Sequence, residues 1–286
     1  MKIGSDEHRD LFCRQFFATY TEYDPETLPW PDLTEEELTR LRTVPFWQEV
    51  LHTEKRAGAI VKAFTPLVED PEVRRAVDLQ GLEETRHAEL LRVMIRRYGL
   101  DATEQPLEPL NPNIEMAFKD FGFGECLDSF LGFGAFKIAR QSEFLPESIF
   151  KIFDVLMYEE TRHIVFFVNW MAHREVMNRR GSGPLRAVTS VWFYSRAFQR
   201  MAGTIRKGAS GGDGKDFAAT QASVFLEGFS FRRFLEDCYA ENARRMTEFD
   251  ETLLRPRFLP ALANVALSGL RLWTFRRKPE PSRAGK

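Results

Sequence analysis

The chain is predicted to be all-α: a bundle of four long helices followed by additional C-terminal helices. Three observations predict it. Apolar residues recur at three-or-four spacing over long windows, and no window alternates with period two. Helix start and stop signals bracket those windows. One five-residue string occurs twice, Glu83-Glu84-Thr85-Arg86-His87 and Glu159-Glu160-Thr161-Arg162-His163. Each copy carries Glu-x-x-His, which on a helix places a carboxylate and an imidazole one turn apart on one face.

The elements follow in order. Residues 1–45 read as an N-terminal arm broken by Pro25, Pro29 and Pro31, irregular apart from one short helix. Thr34-x-x-Glu37 is a capping box that opens that helix, which ends near Pro45. The first long helix runs from about Phe46 to Phe64, before Pro66. The second has Asp70 as its N-cap and Pro71 in its first turn, and stops near Tyr98-Gly99. A loop with Pro106, Pro109 and Pro112 follows. The third helix spans about Ile114 to Ser142. Pro146 opens the fourth, which continues to about Arg180, so that 46–180 forms the bundle. Residues 184–275 supply further helices, about Leu185 to Lys207, Phe217 to Leu254 and Phe258 to Phe275. A glycine-rich stretch, Gly208 to Gly214, is expected to be mobile. Residues 276–286 form a basic tail.

The apolar stripes of the four long helices contain a chemical anomaly. They read Trp47, Val50, Glu54, Ala57, Val61, Phe64; then Val73, Val77, Gln80, Glu84, His87, Leu91, Met94; then Ile114, Phe118, Phe121, Glu125, Asp128, Gly132, Ala135; then Ile149, Phe153, Leu156, Glu160, His163, Phe167, Trp170. Each stripe has a glutamate mid-helix where the pattern calls for an apolar side chain. A buried carboxylate must be neutralised or paired. Four glutamates carry about −4, two divalent cations supply +4, and two neutral histidines complete the ligand set. The opposing possibility is that Arg86 and Arg162 pair these carboxylates in a purely structural network.

At these residues the sequence resembles the ferritin-like di-metal carboxylate superfamily, over about Phe46 to Arg180. The motif is Glu, Glu-x-x-His, a long crossover, Glu, Glu-x-x-His, with the proline-rich loop 99–113 where the crossover belongs. The resemblance implies that Glu54, Glu84, Glu125 and Glu160 are carboxylate ligands and that His87 and His163 are imidazole ligands. The longer string is most similar to the diiron oxygenase branch. It implies that Glu83 and Glu159 each hold the far nitrogen of a ligand histidine, on the opposite motif, and that Arg86 and Arg162 balance their charge. That branch often has Asp where this chain has Glu83 and Glu159. Asp128, one turn beyond Glu125, is expected either to support a ligand or to meet an arginine.

A site of carboxylates and two imidazoles suits two Fe, with Mn or mixed Fe/Mn as the alternative, and lacks the thiolates that favour zinc or copper(I). The resemblance implies O2 as cosubstrate, oxidation of a small, largely apolar substrate, and a separate electron donor, a reductase or ferredoxin, because no flavin or nucleotide motif is visible. The other readings are a non-catalytic metal-binding protein of iron handling and a dimanganese enzyme that dismutates peroxide. An iron-storage ferritin would be shorter, and the cysteine-rich site of rubrerythrin-type peroxidases is absent. The N-oxygenase type carries an extra histidine where this chain has Leu156.

Composition bounds the remainder. Lys+Arg 40 against Asp+Glu 42 gives a net charge of −2, which argues against nucleic acid as a partner. Cys13, Cys126 and Cys238 form no disulfide framework, and Met1 to Asp10 carries no secretory signal. No apolar run is long enough to span a membrane. A cytoplasmic protein is therefore expected, and a homodimer. The stretch 258–278 ends in Arg276-Arg277-Lys278. It is expected to pack on its own bundle or a dimer partner, with peripheral membrane contact as the other possibility. Phe occurs 26 times, against Tyr 6 and Trp 5, so the interior is expected to be bulky. Gly122, Gly124, Gly132 and Gly134 flank Glu125, each costing about 1 kcal/mol of helix stability. They leave room either for an apolar substrate channel or for close helix packing. His52 and His173 lie off the ligand faces.

Overall fold

The computed structural model describes residues 1–178, 183–210 and 230–276. Among them every regular element is helical, and the architecture is an all-α bundle. In chain order the helices are α1 (Asp6–Ala18), α2 (Glu35–Thr43), α3 (Trp47–Phe64), α4 (Pro71–Tyr98), α5 (Ile114–Gln141), α6 (Glu147–Met177), α7 (Gly183–Ser210), α8 (Phe231–Met246) and α9 (Phe258–Arg276).

The expectation of an irregular arm before Thr34 does not hold, because α1 is a regular helix. Ser5 caps it by accepting a hydrogen bond from the His8 N–H, with Asp6 and Glu7 in the first turn. The prolines that suggested irregularity all lie downstream of it. Its apolar face carries Phe12 and Phe16, whose rings sit edge-on against Phe166 of α6 at 5.5 and 5.0 Å. Burying each phenylalanine contributes about 1.5–3 kcal/mol. His8 Nε2 lies 2.9 Å from Asn169 Oδ1, so the buried imidazole has a partner.

The remaining boundaries follow local chemistry. Thr34 and Glu37 form both bonds of the capping box at the start of α2. Asp70 accepts from the N–H groups of Glu72 and Val73, both at 3.0 Å, and Gly99 at φ 58° ends α4 in the left-handed conformation. Asn113 caps α5. Residues 101–113 are strapped over the first helix pair: Arg92 donates to both oxygens of Glu104 at 3.0 and 2.9 Å, and Lys55 donates to the Gln105 carbonyl at 2.9 Å. The fourth long helix ends at Met177 rather than near Arg180, and residues 179–182 lie outside the described set. So does 211–229, which contains the first part of the expected helix 217–254; of its described part only α8 is helical, and 247–254 is turns and irregular backbone rather than helix up to Leu254. Of the glycine-rich stretch, residues 208–210 belong to α7.

Helices α3 to α6 build the bundle around two apolar clusters. One holds Val61, Phe64, Val77, Phe118, Ile164 and Phe167. The other holds Leu51, Leu91, Met94, Ile149 and Leu156. Glu54 of α3 and the glutamates and histidines of the repeated motif on α4 and α6 fall between the two. Of the four glycines of α5, two serve close packing. A Cβ at Gly122 would overlap the Phe167 ring, and one at Gly134 would stand 2.8 Å from the Cys238 Cα of α8. A Cβ at Gly132 would meet nothing within 4 Å. Helix α9 lays Leu259, Ala263 and Leu267 inward and leaves Leu262 and Val265 exposed. No described helix is long and apolar enough to cross a membrane.

Candidate metal centre

Each long helix delivers its mid-helix acid to one point. Glu54 comes from α3, Glu84 and His87 from α4, Glu125 from α5, and Glu160 and His163 from α6. Their donor atoms form two groups that could hold metal ions, Glu54–Glu84–His87–Glu160 and Glu84–Glu125–His163. Within each group the donors lie within 4.8 Å of one another, and Glu84 belongs to both. His87 Nδ1 stands 3.2 Å from Glu160 Oε1 and 3.4 Å from Glu54 Oε2. His163 Nδ1 stands 3.1 Å from both Glu84 Oε1 and Glu125 Oε1. Both imidazoles are fully buried.

The outward nitrogens are tied across the bundle. His87 Nε2 lies 2.8 Å from Glu159 Oε2, and His163 Nε2 lies 2.8 Å from Glu83 Oε2. Each acid thus meets the histidine of the other copy of the motif. Arg86 donates to Glu159 at 2.5 Å, and Arg162 donates to Glu83. Two acids and two arginines balance, so this outer layer leaves the inner carboxylates uncompensated. An Nε2–H donated outward leaves the Nδ1 lone pair directed at the inner oxygens, the tautomer a metal ligand requires.

The N-terminal segment completes this layer, which sequence reasoning missed. Phe16 stacks on His163 at 6.0 Å and lies under the Arg162 guanidinium at 4.8 Å. Arg162 also donates to the Thr19 carbonyl. The Arg86 guanidinium sits 4.0 Å over the Tyr23 ring, and Tyr23 Oη donates to Glu159 Oε2 at 3.4 Å. No local signal could have announced these contacts, because they join segments far apart in the chain. Asp128 takes no part in them. It is exposed, and the charges that act on it are Arg200 of α7 and Glu160.

Electrostatics show what the inner cluster lacks. Burial pushes the Glu54 carboxyl up to about 7, against the pull of His87. Burial, then the Glu84 charge, raises Glu125 well above the usual carboxylate range. Burial disfavours the imidazolium of His87, yet the bond to Glu159 and the adjacent Glu160 and Glu54 carboxylates outweigh it and raise the pKa well above its ordinary value. His163 is raised likewise, its burial outweighed by Glu84, Glu125 and Glu83. On Glu160 and Glu83 the facing histidines outweigh burial and lower the pKa. Protons thus hold together a cluster that is otherwise too negative. Two further atoms, His87 Nδ1 and Glu125 Oε2, are buried without any hydrogen-bond partner. A divalent cation would satisfy both and displace the protons. The donor set of hard oxygens and two imidazoles fits Fe(II) or Mn(II).

A groove of about 550 Å³ between α5, α6 and α8 is lined by charges already paired, among them Arg140 of α5 with Asp154 of α6 and Arg244 with Glu241 along α8. It holds none of the candidate ligands. Compared with protein-family models, with curated proteins and with solved structures, the chain matches none.

Proposed function

We propose that the chain is a ferritin-like non-haem diiron protein that uses O2 to oxidise a small, largely apolar organic substrate. The observation that carries this reading is the cross-tied pair of motifs: two buried Glu-x-x-His units with Nδ1 atoms facing four carboxylates and Nε2 atoms fixed by Glu159 and Glu83. Glu54, Glu84, His87 and Glu160 would hold one ion, and Glu84, Glu125 and His163 the other, with Glu84 spanning both. A reduced metal pair supplies two electrons to O2. In a hydroxylation two more electrons would come from the substrate C–H bond, one oxygen atom would enter the substrate and the other would leave as water with two protons. Two electrons from a separate reductase or ferredoxin would restore the reduced pair.

The protein's own residues set the conditions for that chemistry. Glu83 and Glu159 hold the imidazole protons on Nε2 and fix both rings. Arg86 and Arg162 pair with Glu159 and Glu83. Glu54 and Glu160, whose side chains are 13% and 12% exposed, form the accessible side of the cluster. Phe118 and Phe167, on the stripes of Glu125 and His163, are buried on the other side.

The test is O2 consumption by iron-loaded, chemically reduced protein. Uptake at least tenfold faster than by the same concentration of free Fe(II) supports the reading. Disproportionation of hydrogen peroxide by manganese-loaded protein, without O2 uptake by the iron form, would move the assignment to a dimanganese enzyme. Bound iron inert to both would leave iron handling.

A further inference from the structure

The groove of about 550 Å³ between α5, α6 and α8 contains one guanidinium whose fork is unfilled. The other cations around it are engaged. Arg140 donates to both oxygens of Asp154 at 2.7 and 3.0 Å. Arg244 donates to both oxygens of Glu241 at 3.0 and 2.7 Å and stands 3.5 Å from Glu248. Lys137 meets Asp237 at 2.9 Å. Arg245 lines the same groove, yet its Nε is buried without a hydrogen-bond partner, and its Nη atoms make no hydrogen bond among the described residues. Its ion pair is with Glu241, 3.1 Å from Nε, on the oxygen that already accepts from Arg244.

Arg245 is nevertheless held in place. Its side chain is only 8% exposed, and the guanidinium lies 4.8 Å over the Phe133 ring. A guanidinium taken out of water with no acceptor on its fork is costly unless another group supplies the oxygens. Tyr158 of α6 lines the groove as well, and its hydroxyl makes no hydrogen bond among the described residues either. Its ring stacks on Phe249 at 6.0 Å, and Phe136, on the α5 wall, packs edge-on against Phe150 at 5.4 Å. Two unfilled donors and two packed aromatic rings thus line one cavity, the composition of a small-ligand site.

We propose that this groove binds a small organic oxyanion, a carboxylate or phosphate carried on an aromatic body, with Arg245 as its anchor. The planar fork of a guanidinium takes two oxygens of either group side by side. Tyr158 donates to the same group, and Phe136 gives the body an aromatic wall. A cationic ligand would meet Arg245 by like charge, and a neutral alcohol would leave the fork unpaired. None of these residues is a candidate metal ligand, so the site stands or falls independently of the metal.

The test titrates the full chain calorimetrically with phenyl phosphate, benzoate, benzyl alcohol and benzylamine, and with inorganic phosphate and acetate. The wild type should bind at least one aryl anion about tenfold or more tightly than benzyl alcohol and benzylamine. It should also bind that anion more tightly than inorganic phosphate or acetate, because burial of the ring adds to the ionic contact. Phenyl phosphate ahead of benzoate makes the recognised group a phosphate, and the reverse order makes it a carboxylate. R245M keeps the stem over Phe133 without the fork and should weaken the aryl anion about tenfold or more. R245K keeps a cation in place without the fork and should weaken it in part, which gives the same reading if R245M does not fold. Y158F should weaken it about two- to fivefold. Unchanged affinity in R245M or R245K, tightest binding of benzylamine, or no binding of either aryl anion would overturn the proposal. Equal binding of the small ions and the aryl anions would mean an adventitious ion only, and would overturn it as well.

Discussion

Glu159 on α6 lies 2.8 Å from Nε2 of His87 on α4, so the acid of one motif holds the histidine of the other. Glu83 and His163 repeat the relationship in the opposite sense at 2.8 Å. The duplicated sequence therefore works as one unit. Neither copy can orient its own histidine, and the two helices must be in register for either half to form.

Glu159→Gln removes the charge that fixes His87 and leaves Arg86 unmatched, while keeping the side chain's size. Metal affinity should fall about 10–100-fold, with helix content unchanged. A chelator competition titration with Mn(II) reads this. Affinity equal to wild type would show that the cross-bundle bond does not support the site.

The pH dependence follows from the raised groups. His87 and His163 sit well above their ordinary value, so their contribution to metal-free stability is complete below about pH 6.5 and is lost as pH rises through their folded values. Glu54, held at about 7, acts in the same direction, because the folded state keeps a proton that the unfolded chain has released. Burial lowers His8 and His173, which act in the opposite direction, but only around and below their ordinary value. Metal binding expels the protons of the cluster. The increase in Tm on adding Mn(II) should therefore grow steadily from pH 6 to pH 8. Taking the difference between loaded and metal-free protein cancels the contributions of His8, His173 and the buried thiols. A flat or falling increment contradicts the account.

The glycines of α5 separate into two kinds. Gly134→Ala drives a methyl group into the α8 backbone at Cys238 and should destabilise by about 1–3 kcal/mol. Gly132→Ala meets open space on a helix and should stabilise by up to about 1 kcal/mol. Urea unfolding of the two variants distinguishes them. A loss at Gly132 as large as that at Gly134 would mean that the space beside Gly132 is not there.

How much of this was legible in the sequence differs by feature. The four long helices follow from periodicity and caps, because Asp70, Pro71 and Gly99 act within a few residues of themselves. That Glu54, Glu84, Glu125 and Glu160 meet follows from their place in apolar stripes, since burial of an acid is costly enough to require a cause. Helix α1 was obscured by prolines that lie beyond its end. The roles of Phe16, Thr19 and Tyr23 beside the arginines depend on docking of a distant segment. Asp128 shares the stripe of Glu125 yet is exposed, because which edge of a stripe the neighbouring helices cover is set by their docking, which spacing along one helix does not encode. The glycines show the same limit: Gly132 and Gly134 look alike until α8 is placed.

The proposed diiron centre requires that the cluster hold two metal ions. Metal content per chain, measured on protein from iron-supplemented cells for the wild type and for the double variant Glu84→Ala, His163→Ala, tests it most directly. Glu84 belongs to both candidate groups and His163 to one, so the account predicts about two irons in the wild type and near none in the variant. No stoichiometric metal in the wild type would contradict it. It would mean that protons on His87, His163, Glu54 and Glu125, with Arg86 and Arg162 outside them, are all that holds the buried acids together.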